Sequence, residues 1–151
     1  KPAILAAAML AIAMPAQADT EVVVSRVGSQ PSTVGPSENF TGAVRVDARF
    51  KGTGLARISG GTVTSTGRQN SVATHPLGQT LIVTAGLGRV QHWDGAVQDI
   101  RPGDTVSIPP GVKHWHGASA ETGMSHIAFS EALEGKTVGW LEQVTAEQYR
   151  R

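Results

Sequence analysis

The sequence predicts an all-β domain, a barrel or sandwich of many short strands, from two observations. Glycine (18 residues) and proline (8 residues) interrupt a chain of 151 residues at short intervals. Between these breaks lie short runs rich in valine, isoleucine and threonine, with no strand–helix alternation and no internal repeat. Frequent turns between β-branched runs are typical of antiparallel barrels and sandwiches, and the length suits one domain.

Composition disfavours several classes of function. The formal net charge is only +1 and no basic run occurs, which gives no electrostatic case for binding nucleic acid or an anionic membrane surface. The absence of cysteine excludes disulfides, thiolate metal ligands and a cysteine nucleophile. No nucleophile-elbow sequence precedes a helix, which disfavours a serine hydrolase.

The first eighteen residues have the pattern of an export signal. Lys1 precedes an apolar stretch over residues 3–14, and Ala16-Gln17-Ala18 follows. This order predicts a signal peptide cleaved after Ala18, because the apolar run is shorter than the ~20 residues of a membrane span. The alternative is a buried or amphipathic N-terminal helix. We expect an exported protein, periplasmic in a bacterium, that is not membrane-bound once the signal is removed.

The remaining chain divides into an arm, a barrel and a tail. Residues 19–43 predict an extended N-terminal arm, with a short β-like run at residues 22–24 that would join a neighbouring subunit. Residues 44–131 predict the barrel, and residues 132–151 a C-terminal segment in which Thr145 and Gln148 form a capping box that opens a short helix. The expected strands are 44–50, 62–66, 80–84, 89–93, 97–100, 105–108, 114–116 and 124–129. Asp94-Gly95 predicts a hairpin turn, and Gly60-Gly61 and Gly67 are expected to bracket the second strand.

Histidine placement predicts where the chemistry lies. His114 and His116 are two apart on a predicted strand and share one face, with Trp115 on the other, and His126 follows on a later strand. If these strands line one barrel, three imidazoles converge in an apolar interior, where a metal is a common partner. His75 and Gln79 flank a tight turn and would aim two donors at one point. A lone histidine is more often structural, and His92, near the hairpin turn, keeps that interpretation.

Two spaced motifs resemble those of the cupin family. The first consists of Gly67, Ala73, His75, Gln79 and Gly86, and the second of Gly103, Pro109, Gly111 and His114. The resemblance implies a single-domain cupin, a double-stranded β-helix or jelly-roll barrel. Residues 75–86, 100–104, 109–117 and 124–128 further resemble small bacterial cupins that include manganese-dependent hydroxynitrile lyases, over about residues 39–149.

The resemblance also implies a site and a function. It implies that His75, Gln79 and His114 bind a divalent metal, with manganese favoured and iron or zinc as alternatives. It implies that His116 and His126 lie in the pocket, with His126 as acid–base, and that a small carbonyl or cyanohydrin compound is the substrate. A homodimer or larger homo-oligomer is implied as well.

One departure from the motif leaves the function open. Ala73 stands where these cupins carry a further histidine ligand, two residues before His75 on the same face. Three outcomes are open. A water or His116 takes the place of the missing ligand, the metal binds only weakly, or the protein has lost both the metal and the chemistry. The hypotheses are a lyase-like enzyme with the metal as Lewis acid, an iron-dependent dioxygenase-type cupin, and a non-catalytic barrel that binds a small ligand. Gln79 in place of a carboxylate argues against the iron chemistry.

Overall fold

The computed structural model of the protein describes residues 21–66 and 71–150. In chain order these residues form the strands β1 (Thr33–Val34), β2 (Ala43–Lys51), β3 (Ile58–Thr66), β4 (Ser71–Thr74), β5 (Gln79–Gly86), β6 (Gly88–His92), β7 (Gln98–Ile100), β8 (Thr105–Ile108), β9 (His114–Ala118), β10 (Met124–Glu131) and β11 (Gly139–Gln143), then helix α1 (Ala146–Arg150). The all-β prediction is confirmed. The predicted signal peptide lies outside the described residues.

The strands form two antiparallel sheets with a cavity between them. One sheet has the order β1-β2-β3-β10-β5-β8 and the other β11-β4-β9-β6-β7. Non-consecutive neighbours such as β3 and β10 show that distant parts of the chain pair to close each sheet. Every strand predicted within the barrel is present. The strands β4 and β11 were not predicted, because neither shows a sustained alternation of apolar and polar residues.

The prediction that Gly60-Gly61 ends a turn before the second strand is wrong. Both glycines lie inside β3. A Cβ atom at Gly60 would lie 2.3 Å from the carbonyl oxygen of Ala128 and 2.7 Å from the ring of Phe50. Glycine is therefore required here for close approach within the sheet and not for a turn.

The alternation predicted for residues 44–50 is interrupted by a β-bulge. Asp47 pairs with Thr62 and Phe50 pairs with Gly60, so β2 has one more residue than β3 between the two pairs. Ala48 adopts a left-handed conformation with φ of 46°. The extra residue interrupts the alternation of side chains along β2, and Arg49, Phe50 and Lys51 all line the cavity after this point.

The N-terminal arm is joined to the barrel through one short strand. Residues 22–24 form no strand, and the side chains of Val22 and Val23 are 92% and 78% exposed. Only β1 joins a sheet, by pairing with β2. Within the described residues this run pairs with no strand, and pairing with a neighbouring subunit stays a prediction.

The C-terminal helix closes one end of the core. The backbone N–H of Thr145 donates to Gln148 Oε1 at 2.9 Å, and that of Gln148 donates to Thr145 Oγ1 at 3.2 Å, which confirms the capping box. Tyr149 packs on Trp115 with ring centroids 5.2 Å apart. Trp115 therefore faces away from His114 and His116, as predicted. Among the described residues no helix is long and apolar enough to cross a membrane.

Candidate metal and substrate site

A cavity of about 520 Å³ lies between the two sheets. Its walls are largely apolar and include Phe40, Val46, Val63, Ala128 and Trp140. Phe40 and Trp140 meet edge to face with ring centroids 5.2 Å apart. Three imidazoles and one amide side chain line it as well: His75, His116, His126 and Gln79. No aspartate or glutamate is among the described residues of the lining, so these residues bring no negative charge into the cavity.

The tight turn before β5 positions His75 and Gln79. The backbone N–H of Gly78 donates to the carbonyl of His75 at 3.1 Å, and Gly78 has a φ of 82° that suits glycine. The backbone N–H of Gly111 donates to the same carbonyl at 2.8 Å. The loops of the two motifs are thereby tied together, and His75 and Gln79 both reach the cavity.

Backbone carbonyls orient two of the imidazoles. The Nδ1 of His75 lies 2.7 Å from the carbonyl oxygen of Thr137, and the Nδ1 of His114 lies 3.1 Å from that of Val112. A carbonyl can only accept, so each Nδ1 carries the proton and each Nε2 keeps a lone pair. The ring centroids of His75 and His114 are 5.5 Å apart. Such outer hydrogen bonds are the usual way in which proteins fix a histidine that binds a metal through Nε2.

The contact between His114 and Gln79 fits a cation. The Nε2 of His114 lies 3.3 Å from Gln79 Oε1. With Nδ1 protonated, both atoms are acceptors, and two lone pairs at this distance repel unless the amide is reversed or a positive charge lies beside them. Two ligands bound at about 2.2 Å and at right angles would lie about 3.1 Å apart. The residues present therefore fit a divalent metal with His75, Gln79 and His114 as its protein ligands.

Only two of those three ligands are of the types most common in protein metal sites. Within residues 21–66 and 71–150, no group of three or more His, Cys, Asp or Glu side chains could hold a metal ion. Ala73 explains this, because it lies directly opposite His114 in the register of β4 and β9 and is 4% exposed. A histidine at this position would complete such a group.

His116 on β9 and His126 on β10 extend the cluster of imidazoles. The ring of His116 stacks on that of His114 at 5.8 Å and meets that of His126 edge to face at 5.1 Å. His126 is fully buried, yet neither of its ring nitrogens has a hydrogen-bond partner, and the Nδ1 of His116 has none either. A buried polar atom without a partner costs on the order of 1–3 kcal/mol. These nitrogens are free to bind a ligand in the cavity.

Burial keeps the imidazoles neutral. It lowers the pKa of His75 and of His126 from 6.5 to about 4, and it also lowers the pKa of His114. The pKa of His116 falls well below its usual value through burial and through the neighbouring His126, His114 and His75. Neutral imidazole is the form that binds a metal or accepts a proton.

The structure brings together every site residue predicted from the sequence. His75, Gln79, His116 and His126 line the cavity, and His114 contacts Gln79 at its edge. The remaining histidine, His92, is exposed at the end of β6 and does not line the cavity.

Sequence reasoning missed several residues of the cavity. Ser71 precedes Ala73 by two on the same face of β4, is 2% exposed, and has an Oγ without a hydrogen-bond partner. The i, i+2, i+4 spacing to His75 was the signal available for it. Arg49 and Lys51 also line the cavity, and they follow a bulge that the sequence does not reveal.

The chain matches known proteins in both sequence and structure. Residues 61–128 match the family model described as "Cupin domain". The chain is 54% identical over 129 residues to a protein of Granulicella tundricola named (R)-mandelonitrile lyase, with 85% of this chain and 98% of that protein covered. It resembles the crystal structure of a cupin-like protein from Thermotoga maritima, with a TM-score of 0.72, 32% identity, and 86% and 96% of the two chains covered.

A second solved structure supports the fold alone. It is a cupin-2 domain from Rhodospirillum rubrum, with a TM-score of 0.61, 18% identity, and 83% of this chain and 82% of that chain covered.

Proposed function

This chain belongs to the cupin family, and we propose that it is a metal-dependent lyase that interconverts a small cyanohydrin with its carbonyl compound and hydrogen cyanide. The observation that carries the proposal is the pairing of two functions in one apolar cavity. The Nε2 atoms of His75 and His114 and the amide oxygen of Gln79 offer a cation site. Beside them, His126 is buried with both ring nitrogens unpartnered. The 54% identity to a protein named (R)-mandelonitrile lyase supports the choice of reaction.

The metal would be held by His75, Gln79 and His114. Cupin domains usually bind a divalent metal, and we propose manganese, with iron or zinc as alternatives. Bound there, the ion supplies Lewis-acid stabilisation of negative charge on a substrate oxygen or on cyanide. Gln79 is neutral where a carboxylate would cancel part of the ionic charge, which favours this role.

His126 moves the proton. In the cleavage direction, the unprotonated ring nitrogen of His126 accepts the hydroxyl proton of the cyanohydrin. The oxygen forms the carbonyl double bond as the bond between the carbon and the nitrile breaks, and cyanide leaves with the electron pair. The proton on His126 then passes to cyanide and gives hydrogen cyanide. A neutral imidazole is needed for the first step, and burial keeps it neutral.

The remaining cavity residues position the substrate. The edge-to-face pair of Phe40 and Trp140 and the side chains of Val46, Val63 and Ala128 provide an apolar surface suited to a flat or branched hydrocarbon group. His116, stacked on His114, lies between the metal ligands and His126 and orients the hydroxyl group.

Metal analysis together with turnover of mandelonitrile tests the proposal. The purified protein should contain a near-stoichiometric divalent metal and release benzaldehyde from mandelonitrile, and His114→Ala should lose both. His92→Ala is the matched control and should keep both, because His92 is exposed and does not line the cavity. Metal-loaded protein without any turnover of cyanohydrins would refute the lyase proposal.

Ala73 specifically favours a second candidate, a non-catalytic barrel that binds a small ligand. In that case the natural protein would hold little metal, and Ala73→His would recover it by supplying a side chain opposite His114. The matched control is Thr74→His, which places the imidazole on the other face of the same strand. If Ala73→His gains metal and Thr74→His does not, while the natural protein has neither metal nor turnover, the lyase proposal fails and the binding function takes its place.

Export and homo-oligomerisation remain predictions. The exposed valines of the arm, Val22, Val23, Val24 and Val27, are consistent with contact with another subunit. Fractionation of cells that express the protein tests the first prediction, and light scattering of the purified protein tests the second.

A further inference from the structure

The bulge in β2 turns two cations toward the cavity. In an uninterrupted strand Val46, Ala48 and Phe50 would share one face. The extra residue at Ala48 shifts this pattern, so that Arg49 and Lys51 line the cavity together with Val46 and Phe50. Gly61 on β3 makes room for this arrangement, since a Cβ there would lie 3.3 Å from Val46 Cγ1 and 3.5 Å from Arg49 Cγ.

The bulge is maintained against backbone strain. Ala48 has a φ of 46°, a left-handed conformation that is sterically strained for a residue with a Cβ atom. Strain and bulges of this kind concentrate beside functional sites, where they redirect a side chain. Here the redirected side chains are Arg49 and Lys51.

Neither cation is neutralised by the described protein. The ion pairs among the described residues join Arg45 to Asp47, Arg57 to Glu131, Arg89 to Asp99 and Lys113 to Glu142. Arg49 and Lys51 take part in none of them. The Nε of Arg49 donates to Thr33 Oγ1 at 3.1 Å, which fixes the stem of the guanidinium and leaves its two terminal nitrogens to act as a fork for a carboxylate.

The charge of the cavity favours an anion. Arg49 and Lys51 contribute positive charge, the imidazoles are neutral, and no acidic residue lines the cavity. A concave site lined by one sign of charge over low-dielectric walls concentrates the opposite charge. Both residues are exposed and line the cavity, which puts them at its mouth and not at its floor.

We propose that Arg49 and Lys51 form a carboxylate subsite at the mouth of the cavity, so that the preferred substrate is an aromatic or similarly flat carbonyl compound that also carries an acid group. The carboxylate binds at the mouth, the hydrocarbon body packs on Phe40 and Trp140, and the carbonyl reaches the histidine cluster. The carbonyl part of this assignment rests on the proposed function. The carboxylate part rests on β2 alone.

Calorimetric binding of two matched probes tests the subsite. The probes are para-formylbenzoate and its neutral isostere para-tolualdehyde, measured with metal-loaded protein and again after chelation, so that the metal cannot itself bind the carboxylate. The natural protein should bind the acid roughly tenfold more tightly than the isostere, as expected for a charge-assisted bidentate contact. Raising the salt concentration should weaken binding of the acid and leave that of the isostere unchanged.

Variants assign the preference to the two residues. Arg49→Gln combined with Lys51→Gln should remove the roughly tenfold preference and change binding of para-tolualdehyde by less than twofold. Arg45→Gln is the matched control, because Arg45 lies on the same strand but does not line the cavity. Equal binding of the two probes to the natural protein, an unchanged preference in the double variant, or an equal loss in Arg45→Gln would overturn the proposal. The salt series needs no variant and decides the matter if the double variant does not fold.

The same experiments separate this inference from the proposed function. If no carbonyl or cyanohydrin compound is turned over but the acid preference disappears in the double variant, the lyase proposal fails and the carboxylate subsite stands. If mandelonitrile is cleaved and the two probes bind equally, the lyase proposal stands and the subsite fails.

Discussion

His126 has a fully buried imidazole of which neither nitrogen is hydrogen-bonded. A merely structural histidine in such a position would be expected to have at least one partner. The neighbouring His116 shares this property at Nδ1. At the scale of single residues, these nitrogens without hydrogen-bond partners indicate a ligand-binding site and not a packed core.

Replacement of His126 tests its role as acid–base. We expect His126→Gln to lower the rate of cyanohydrin cleavage by roughly 10²–10⁴-fold, the usual contribution of general acid–base catalysis. Metal content should not change, because His126 is not among the proposed ligands. Steady-state kinetics and elemental analysis measure the two effects, with His92→Gln as the control. Loss of metal in His126→Gln would instead identify His126 as a ligand.

The strained residue of β2 belongs to the scale of the element. Ala48→Gly should raise the free energy of unfolding by about 1 kcal/mol, because glycine adopts φ of 46° without the penalty of a Cβ. Ala43→Gly on the same strand should lower the free energy of unfolding, because Ala43 does not have a positive φ and its replacement by glycine relieves no strain. Urea unfolding monitored by tryptophan fluorescence gives both values. A destabilised Ala48→Gly would show that the bulge carries no strain.

Substitutions in the capping box test whether helix α1 stabilises the core that it closes. Thr145→Ala removes the acceptor for the N–H of Gln148 and should cost about 1 kcal/mol of stability. Thr145→Ser keeps the hydroxyl group and should cost much less. Thermal unfolding followed by near-ultraviolet circular dichroism reports the loss, because Tyr149 and Trp115 pack together in this core. Equal effects of the two variants would exclude the hydrogen bond as the cause.

At the scale of the whole molecule, the buried histidines couple folding to pH. His75 and His126 take up a proton near pH 6.5 when unfolded and only near pH 4 when folded. Between these values the unfolded state binds more protons, so the free energy of unfolding of the metal-free protein should fall as the pH is lowered through this window. The contribution of these two histidines to stability is complete above pH 6.5.

Unfolding of the chelated protein at pH 7.5 and about pH 4.5 measures this dependence. Each pKa unit corresponds to about 1.4 kcal/mol, so the combined loss should reach a few kcal/mol. His126→Gln should show a smaller loss between the two pH values. A variant with the same pH dependence as the natural protein would mean that His126 does not titrate as its burial implies.

The sequence by itself determined the fold class, the turn between His75 and Gln79, the shared face of His114 and His116, and the capping box at Thr145. Each of these follows from local rules, since glycine, proline, strand alternation and cap residues act over a few positions. The resemblance to the cupin motifs then implied that these local features belong to one jelly-roll barrel. The missing ligand at Ala73 followed from the resemblance to the first cupin motif, in which that position carries a further histidine.

Only the tertiary structure decided how distant residues meet. It placed Ala73 opposite His114, left His126 without a partner, and recruited Ser71 to the cavity wall. It also introduced the bulge at Ala48, which moves Arg49 and Lys51 to the cavity, where alternation predicted the opposite. Register and bulges depend on pairing between strands far apart in the chain, and burial depends on the closed barrel. No local pattern contains that information.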